Sequence, residues 1–261
     1  MGTSTSNAGQ KGSTPLVPSW LDDEENQEND LISNQGDSER FRAPRNNFTR
    51  FVNDGGRDTS NLHKATSQYI KNSLGGAKNA TMRLGAAKNS TARLFSIFNG
   101  FINNGVDDTS KKYGLGELIG KSAKEVFLNI MDFVCPNGGS TDEGIARSSY
   151  IETLMSLSDI ENKSIENLTD FEFLAFTENY MTNIIQERLV NDIGNKIISL
   201  PKDIGEVEFI QRQINDYISG AVSDSISALN LDIKNIDNTQ TISIVESVYE
   251  KAYNILASLE E

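Results

Sequence analysis

The chain has 261 residues, 37% of them hydrophobic, a net charge of −13, one cysteine and one histidine. A lone Cys135 excludes an intramolecular disulfide framework and fits a reducing compartment, and with His63 as the one histidine a zinc cluster of His and Cys cannot be assembled. There is no run of about eighteen apolar residues and no basic flank followed by an apolar stretch at the start, so neither a membrane span nor a secretory signal is expected, and the expected location is the cytoplasm.

Residues 1–39 are expected to form a disordered arm. The opening MGTSTSNAGQKGSTPLVPSW contains no large apolar residue up to Ser13 except Met1, too little to offset the entropy of ordering it, and an acidic LDDEENQEND follows. Pro15, Leu16, Val17, Pro18 and Trp20 are the exception. The prolines favour an extended conformation, and the apolar side chains give the segment something to bury, either in a partner's groove or on the protein's own helices.

A basic segment at 40–98 comes next. Between 40 and 93 there are eleven Lys or Arg against Asp54 and Asp58, a net of +9, so the rest of the chain carries −22. Such asymmetry suits a phosphate-bearing or acidic partner, and equally suits docking on the chain's own acidic C-terminal part. Arg40, Arg42, Arg45 and Arg50 interleave with Phe41, Phe48 and Phe51, the composition that binds single-stranded nucleic acid; the alternative is that the phenylalanines pin the segment to the core. Lys64, Lys71, Lys78, Arg83, Lys88 and Arg93 complete the candidate contact set for nucleic acid or an acidic partner.

After the turn DGGRD, Thr59 is a candidate N-cap for a helix through Leu62, Tyr69 and Ile70 that ends at Gly75 and Gly76. A repeat follows, LGGAKNATMR then LGAAKNSTAR. On one continuous helix ten residues advance by about 1000°, so the copies face directions roughly 80° apart and form no single basic stripe. Ala77, Ala80, Leu84, Ala87, Thr91, Leu94 and Phe98 do align, as a seam of mostly small side chains for close helix packing within the domain or against a partner.

Residues 99–116, NGFINNGVDDTSKKYGLG, are turn-rich and predict a linker. Residues 117–261 predict an acidic helical domain of four or five helices. The first has a capping box at Ser122 and Glu125, an apolar face of Ala123, Val126, Phe127, Ile130, Met131 and Val134, and a stop at Cys135-Pro136. Further helices are expected at about 141–157, from Thr169 with Phe173, Leu174, Tyr180, Met181, Ile184, Ile185, Leu189 and Ile193 on one face, on Val207, Ile210, Ile214, Tyr217 and Ala221, and on Val245, Val248, Tyr249, Ala252, Leu256 and Leu259. Nothing alternates over the length of a strand, so the fold class is all-α, a helical bundle with an N-terminal arm.

Chemistry-bearing motifs are scarce. GLGELIGKS ends like a phosphate loop, but Leu115 occupies the position of its first glycine and no apolar strand precedes it. Cys135 reads as a core residue and His63 as solvent-exposed. The acidic pairs Asp107-Asp108 and Asp142-Glu143 suit helix starts. No enzyme activity, cofactor or metal is expected.

Four stretches in order, MGTSTSNAGQKGSTPLVPSW, RFRAPRNNFTRF, GGAKNATMRLGAAKNSTAR and EVFLNIMDFVCPNGGSTDEGIAR, resemble the QatB family of the Qat bacterial anti-phage defence system, closely over residues 1 to about 155 and in character beyond. The resemblance implies a non-catalytic subunit working beside an ATPase, a QueC-like enzyme and a TatD-like nuclease. It also implies a role for the arm. A QueC-like enzyme activates a deazaguanine carboxylate with ATP for attack by an amine, and removal of Met1 would expose the unhindered α-amine of Gly2. Gly2, Thr3 and Ser4 would enter that partner's active site while Pro15, Leu16, Val17, Pro18 and Trp20 anchor the arm. Two readings compete: presentation of nucleic acid to the nuclease by the 40–93 region, and N-myristoylation at Gly2, which MGTSTS matches but which bacterial proteins are not expected to carry.

Overall fold

The structure, a computed structural model, describes residues 39–158, 160–194, 203–236 and 239–259. Among them are ten α-helices and no strand: α1 Arg42–Asn53, α2 Thr59–Gln68, α3 Ala77–Met82, α4 Ala86–Asn104, α5 Val106–Tyr113, α6 Ala123–Val134, α7 Thr141–Met155, α8 Asp170–Leu189, α9 Ile204–Ala228 and α10 Thr241–Ser258. Five of these lie beyond residue 116. Residues 39–261 cluster as one unit.

The basic segment is part of the core. α1 buries Pro44, Phe48, Phe51 and Val52, one face at helical spacing, and pairs with α2 across the DGGRD turn. Asp58 rather than Thr59 is the N-cap of α2, its carboxylate accepting from the Ser60 backbone N–H at 3.1 Å. The Asp58 carboxylate has two acceptor oxygens, and they also take the Ser60 hydroxyl and the Asn61 amide. Gly55 and Gly56 turn with φ of +72° and +77°, and a side chain on Gly56 would meet Ile210 of α9 at 3.0 Å, so glycine allows α9 to approach.

The repeat corrects a sequence expectation. The helix is not continuous through both copies: it stops at Arg83 and restarts at Ala86 after Gly85, whose φ is +41°. Each copy therefore begins its own helix behind a positive-φ glycine, Gly75 and Gly76 in the first and Gly85 in the second. Counting 100° per residue across the break is invalid, and equivalent positions face the same way. Leu74 and Leu84, Ala77 and Ala87, and Thr81 and Thr91 are all buried. The whole seam from Ala77 to Phe98 is buried, and α10 of the same chain covers α3 and α4.

α4 is the central element, packed against α5, α6, α7, α8 and α10. Its Phe98 ring lies 4.7 Å from Phe173, 5.4 Å from Phe127 and 5.8 Å from Phe176, which ties α4, α6 and α8 into one aromatic cluster. Asn99 satisfies its amide on the carbonyls of Ile233 and Ile236 at 2.6 and 3.2 Å, holding the turn before α10. The expected linker 99–116 is largely helical: α4 runs on to Asn104, and α5 folds back on it because Gly100 leaves room for Thr109. Asp107 and Asp108 in the first turn of α5 and Lys111 and Lys112 in its last turn complement the helix dipole.

The C-terminal helices follow the expected faces with small departures. The capping box at Ser122 and Glu125 is formed, and two more close at Ser140 with Glu143 and Thr169 with Glu172. Leu174 and Met131 are half-buried, Leu259 is exposed, and Phe176, Ile218 and Tyr253 are core residues in their place.

Candidate functional site

The most concentrated chemistry among the described residues is a half-buried charge cluster where two π turns meet, Tyr69–Ser73 at the end of α2 and Val190–Gly194 at the end of α8. Single π turns inside helices are frequent at functional positions. The Tyr69 hydroxyl donates to Asp192 Oδ2 at 2.6 Å, and Arg188 Nε donates to the same oxygen at 3.2 Å. Arg188 Nη1 also pairs with Asp142 in the first turn of α7. From α1, Arg45 Nε and Nη2 donate to the Asp192 backbone carbonyl at 3.3 and 3.0 Å. Arg40 and Arg45 both lie over the Phe41 ring, at 5.0 and 5.1 Å from its centroid, and Phe41 neighbours Tyr69 at 6.3 Å.

The electrostatics follow from that geometry. Burial, reinforced by Asp192, pushes the Tyr69 hydroxyl well above the usual phenol range. Burial opposes the charge on Arg188, but Asp192 and Asp142 outweigh it and hold the guanidinium charged. Arg83 goes the other way: burial, then Arg40 and Arg188, lower its pKa, and its buried Nε has no acceptor.

A second feature is a cavity of about 140 Å³ lined by Ser90, Arg93, Cys135, Pro136, Glu143 and Ala146 among others. Cys135 is buried, its sulfur 3.1 Å from the Tyr180 hydroxyl, and burial pushes its thiol pKa up, which keeps it protonated. Arg93 Nη1 is occupied by the Val134 carbonyl at 3.2 Å.

The candidate basic residues divide into two groups. Arg42, Arg50, Lys64, Lys71 and Lys78 are exposed, whereas Arg40, Arg45, Arg83, Lys88 and Arg93 are half-buried and turned to the chain itself. Lys88 forms an ion pair of 2.7 Å with Glu246 of the acidic C-terminal part, its side chain only 13% exposed. Phe48 and Phe51 are core residues. His63 corrects another expectation: it is half-buried and stacks on Tyr217 of α9 at 4.4 Å, and burial lowers its pKa. At the glycine-rich GLGELIGKS the backbone N–H of Gly120 is taken by Glu166 at 2.7 Å. Gly2, Thr3, Ser4, Pro15, Leu16, Val17, Pro18 and Trp20 lie outside the described residues, as does the whole of the expected arm to residue 38. Sequence reading missed Asp142, Arg188 and Asp192 as a cluster; the one local signal was the i, i+4 spacing of Arg188 and Asp192.

The described residues thus define an all-α protein whose polar interior clamps its basic N-terminal helices to its C-terminal ones; they contain no group of three His, Cys, Asp or Glu able to hold a metal, and no helix long and apolar enough to cross a membrane. The family model described as "Qat anti-phage system associated protein QatB" matches residues 75–256, and the chain belongs to that family. It is a component of the Qat anti-phage system. The match starts at the repeat and runs through the C-terminal helices, where the chain's resemblance to the family is one of helical character; helical faces tolerate many residues at each position. No curated protein and no solved structure matches the chain.

Proposed function

We propose that the chain is a non-catalytic subunit of the Qat system that engages a QueC-like enzyme through residues 1–20 and is modified by it at the α-amine of Gly2. Membership of the QatB family carries this reading. In the reaction, ATP converts the deazaguanine carboxylate to an acyl adenylate with release of pyrophosphate. The neutral amine of Gly2, with an ordinary pKa of about 8, attacks the acyl carbon; AMP leaves, a proton is lost and an amide forms. Pro15, Leu16, Val17, Pro18 and Trp20 supply the anchoring contact, and the ATPase and TatD-like nuclease are further candidate partners.

The deciding experiment is the intact mass and the N-terminal peptide mass of the chain produced with and without the QueC-like enzyme. A partner-dependent gain on Gly2 equal to an amide-linked deazaguanine is expected; a bare Gly2 in both samples overturns the modification. Trp20→Ala is expected to weaken the complex, and unchanged affinity would move the contact to the helices.

A second reading is favoured by the candidate cations that stay exposed, Arg42, Arg50, Lys64, Lys71 and Lys78. They offer phosphate contacts without stacking rings, so binding of nucleic acid through them would be insensitive to sequence and fall steeply with salt. Indifference of the full chain to DNA and RNA at low salt overturns it.

A further inference from the structure

The cavity of about 140 Å³ lies where three helix ends come together, the first turns of α4 and α7 and the end of α6 at Cys135-Pro136. Ala86, Asn89 and Arg93 follow at spacings of three and four residues, so one face of α4 forms a side of it. Glu143 lines it from α7. The buried Cys135 and Ala146, with the exposed Pro136, supply small and mostly apolar walls.

Two opposite charges line this space, and each is only partly engaged. Arg93 commits Nη1 to the Val134 carbonyl at 3.2 Å, and among the described residues its Nε and Nη2 have no acceptor. Glu143 commits Oε2 to the Ser140 backbone N–H and hydroxyl at 3.0 and 2.8 Å, which leaves Oε1. Both side chains are half-buried, yet they form no ion pair with each other or with any other described residue. Each is held from behind by its own hydrogen bonds, so neither can cross the gap without breaking them. At the α4 end the N-cap is Gly85, which has no side chain to cap the first turn, and the positive end of the helix adds to Arg93 there. Asp142, beside Gly85, is already taken by Arg188.

We propose that the cavity binds a small zwitterion, an α-amino acid with a short uncharged side chain, its carboxylate on the free edge of Arg93 and its ammonium on Glu143 Oε1. The planar edge of a guanidinium takes two carboxylate oxygens in parallel, and an ammonium needs only the single oxygen that Glu143 has left. A bare anion would be repelled by Glu143, and a bare amine by Arg93. Asn89, exposed at the rim, can add its amide N–H to the carboxylate. Volume sets the side chain: a cavity of about 150 Å³ holds a molecule the size of benzene, so alanine and serine fit and long side chains do not. The inference does not depend on modification of Gly2.

The test is isothermal titration calorimetry of the full chain with L-alanine and L-serine, with propionate and ethylamine as the two half-ligands at the same pH and ionic strength. Wild type is expected to show saturable one-to-one binding of at least one of the amino acids, and binding of either half-ligand at least tenfold weaker. Glu143→Gln removes the charge while glutamine can still close the capping box, so the fold is kept. It is expected to weaken amino-acid binding tenfold or more, as is Arg93→Gln, whereas Lys112→Gln, an exposed cation on α5, leaves binding unchanged. No saturable binding of either amino acid, propionate or ethylamine binding as tightly as alanine, or full affinity in either charge variant overturns the site. If Arg93→Gln does not fold, the outcome for Glu143→Gln decides alone.

Discussion

Tyr69 and Asp192 meet at 2.6 Å across 123 residues of sequence, each in a π turn that ends its helix. A π turn accommodates one extra residue and swings the side chains after it out of helical register. Here two such distortions face each other. Their meeting point is where the basic N-terminal helices are fastened to α8, because Arg45 and Arg188 bind the same aspartate by its carbonyl and its carboxylate.

Removing the hydroxyl tests how much that fastening stabilises the fold. Tyr69→Phe keeps the buried ring and leaves Asp192 with Arg188, so a loss of about 1–2 kcal/mol in urea unfolding is expected. Asp192→Ala leaves the half-buried Arg188 with Asp142 alone and is expected to cost about 3 kcal/mol or more. Equal small effects would mean that the cluster is solvated and contributes little.

Lys88 and Glu246 lie 158 residues apart and pair with the lysine side chain 13% exposed and the glutamate 45% exposed. The exposed carboxylate limits the gain from solvent screening. A double-mutant cycle of Lys88→Ala and Glu246→Ala is expected to give a coupling of about 1 kcal/mol that shrinks in high salt.

Gly85 joins the repeat to the cluster. Its φ of +41° disfavours any side chain, and an added Cβ would stand 2.5 Å from Asp142 Oδ2, the carboxylate that Arg188 grips. Gly85→Ala is expected to destabilise by about 2 kcal/mol or more. Gly144→Ala, inside α7 with open space around the new methyl, is expected to stabilise by about 0.5–1 kcal/mol. Matching changes at both sites would show that backbone conformation at Gly85 is not constrained.

What the sequence disclosed and what it hid follow from the range of each signal. Capping boxes are local: Ser140 with Glu143 and Thr169 with Glu172 have the same spacing as Ser122 with Glu125 and were equally legible. The seam from Ala77 to Phe98 was legible because burial imposes its spacing on each copy. The break inside it was not, because the turn at Arg83, Leu84 and Gly85 preserves that spacing while replacing the helix. In 99–116 the glycines and asparagines suggested turns, although the chain is helical there except at Gly105 and from Gly114 on, and the Asp and Lys pairs at the ends of α5 carried the helical signal. Periodicity says which face is buried and nothing about partners, so Tyr69 with Asp192 and Arg188 with Asp142 needed three dimensions.

Two sets of carboxylates pull the pH dependence in opposite directions. Glu172 has a pKa lowered by Lys163 and by the Thr169 cap, so its stabilisation is present above the unfolded value of about 4.3 and is lost as pH falls through the lower folded value. Glu187 has a pKa raised by burial, a rise that Ser148 partly offsets and nearby Glu152 reinforces. Its contribution is fully present below about pH 4 and is lost as pH rises through the folded value, so at neutral pH the ionised Glu187 weakens the fold. Glu172→Gln is therefore expected to lower the urea midpoint at pH 7, and Glu187→Gln to raise it. Both differences should fade toward pH 3.5, where wild type holds these groups increasingly neutral. A Glu187→Gln variant that is less stable than wild type at pH 7 would show that the hydrogen bond from Ser148 outweighs the cost of burying the charge.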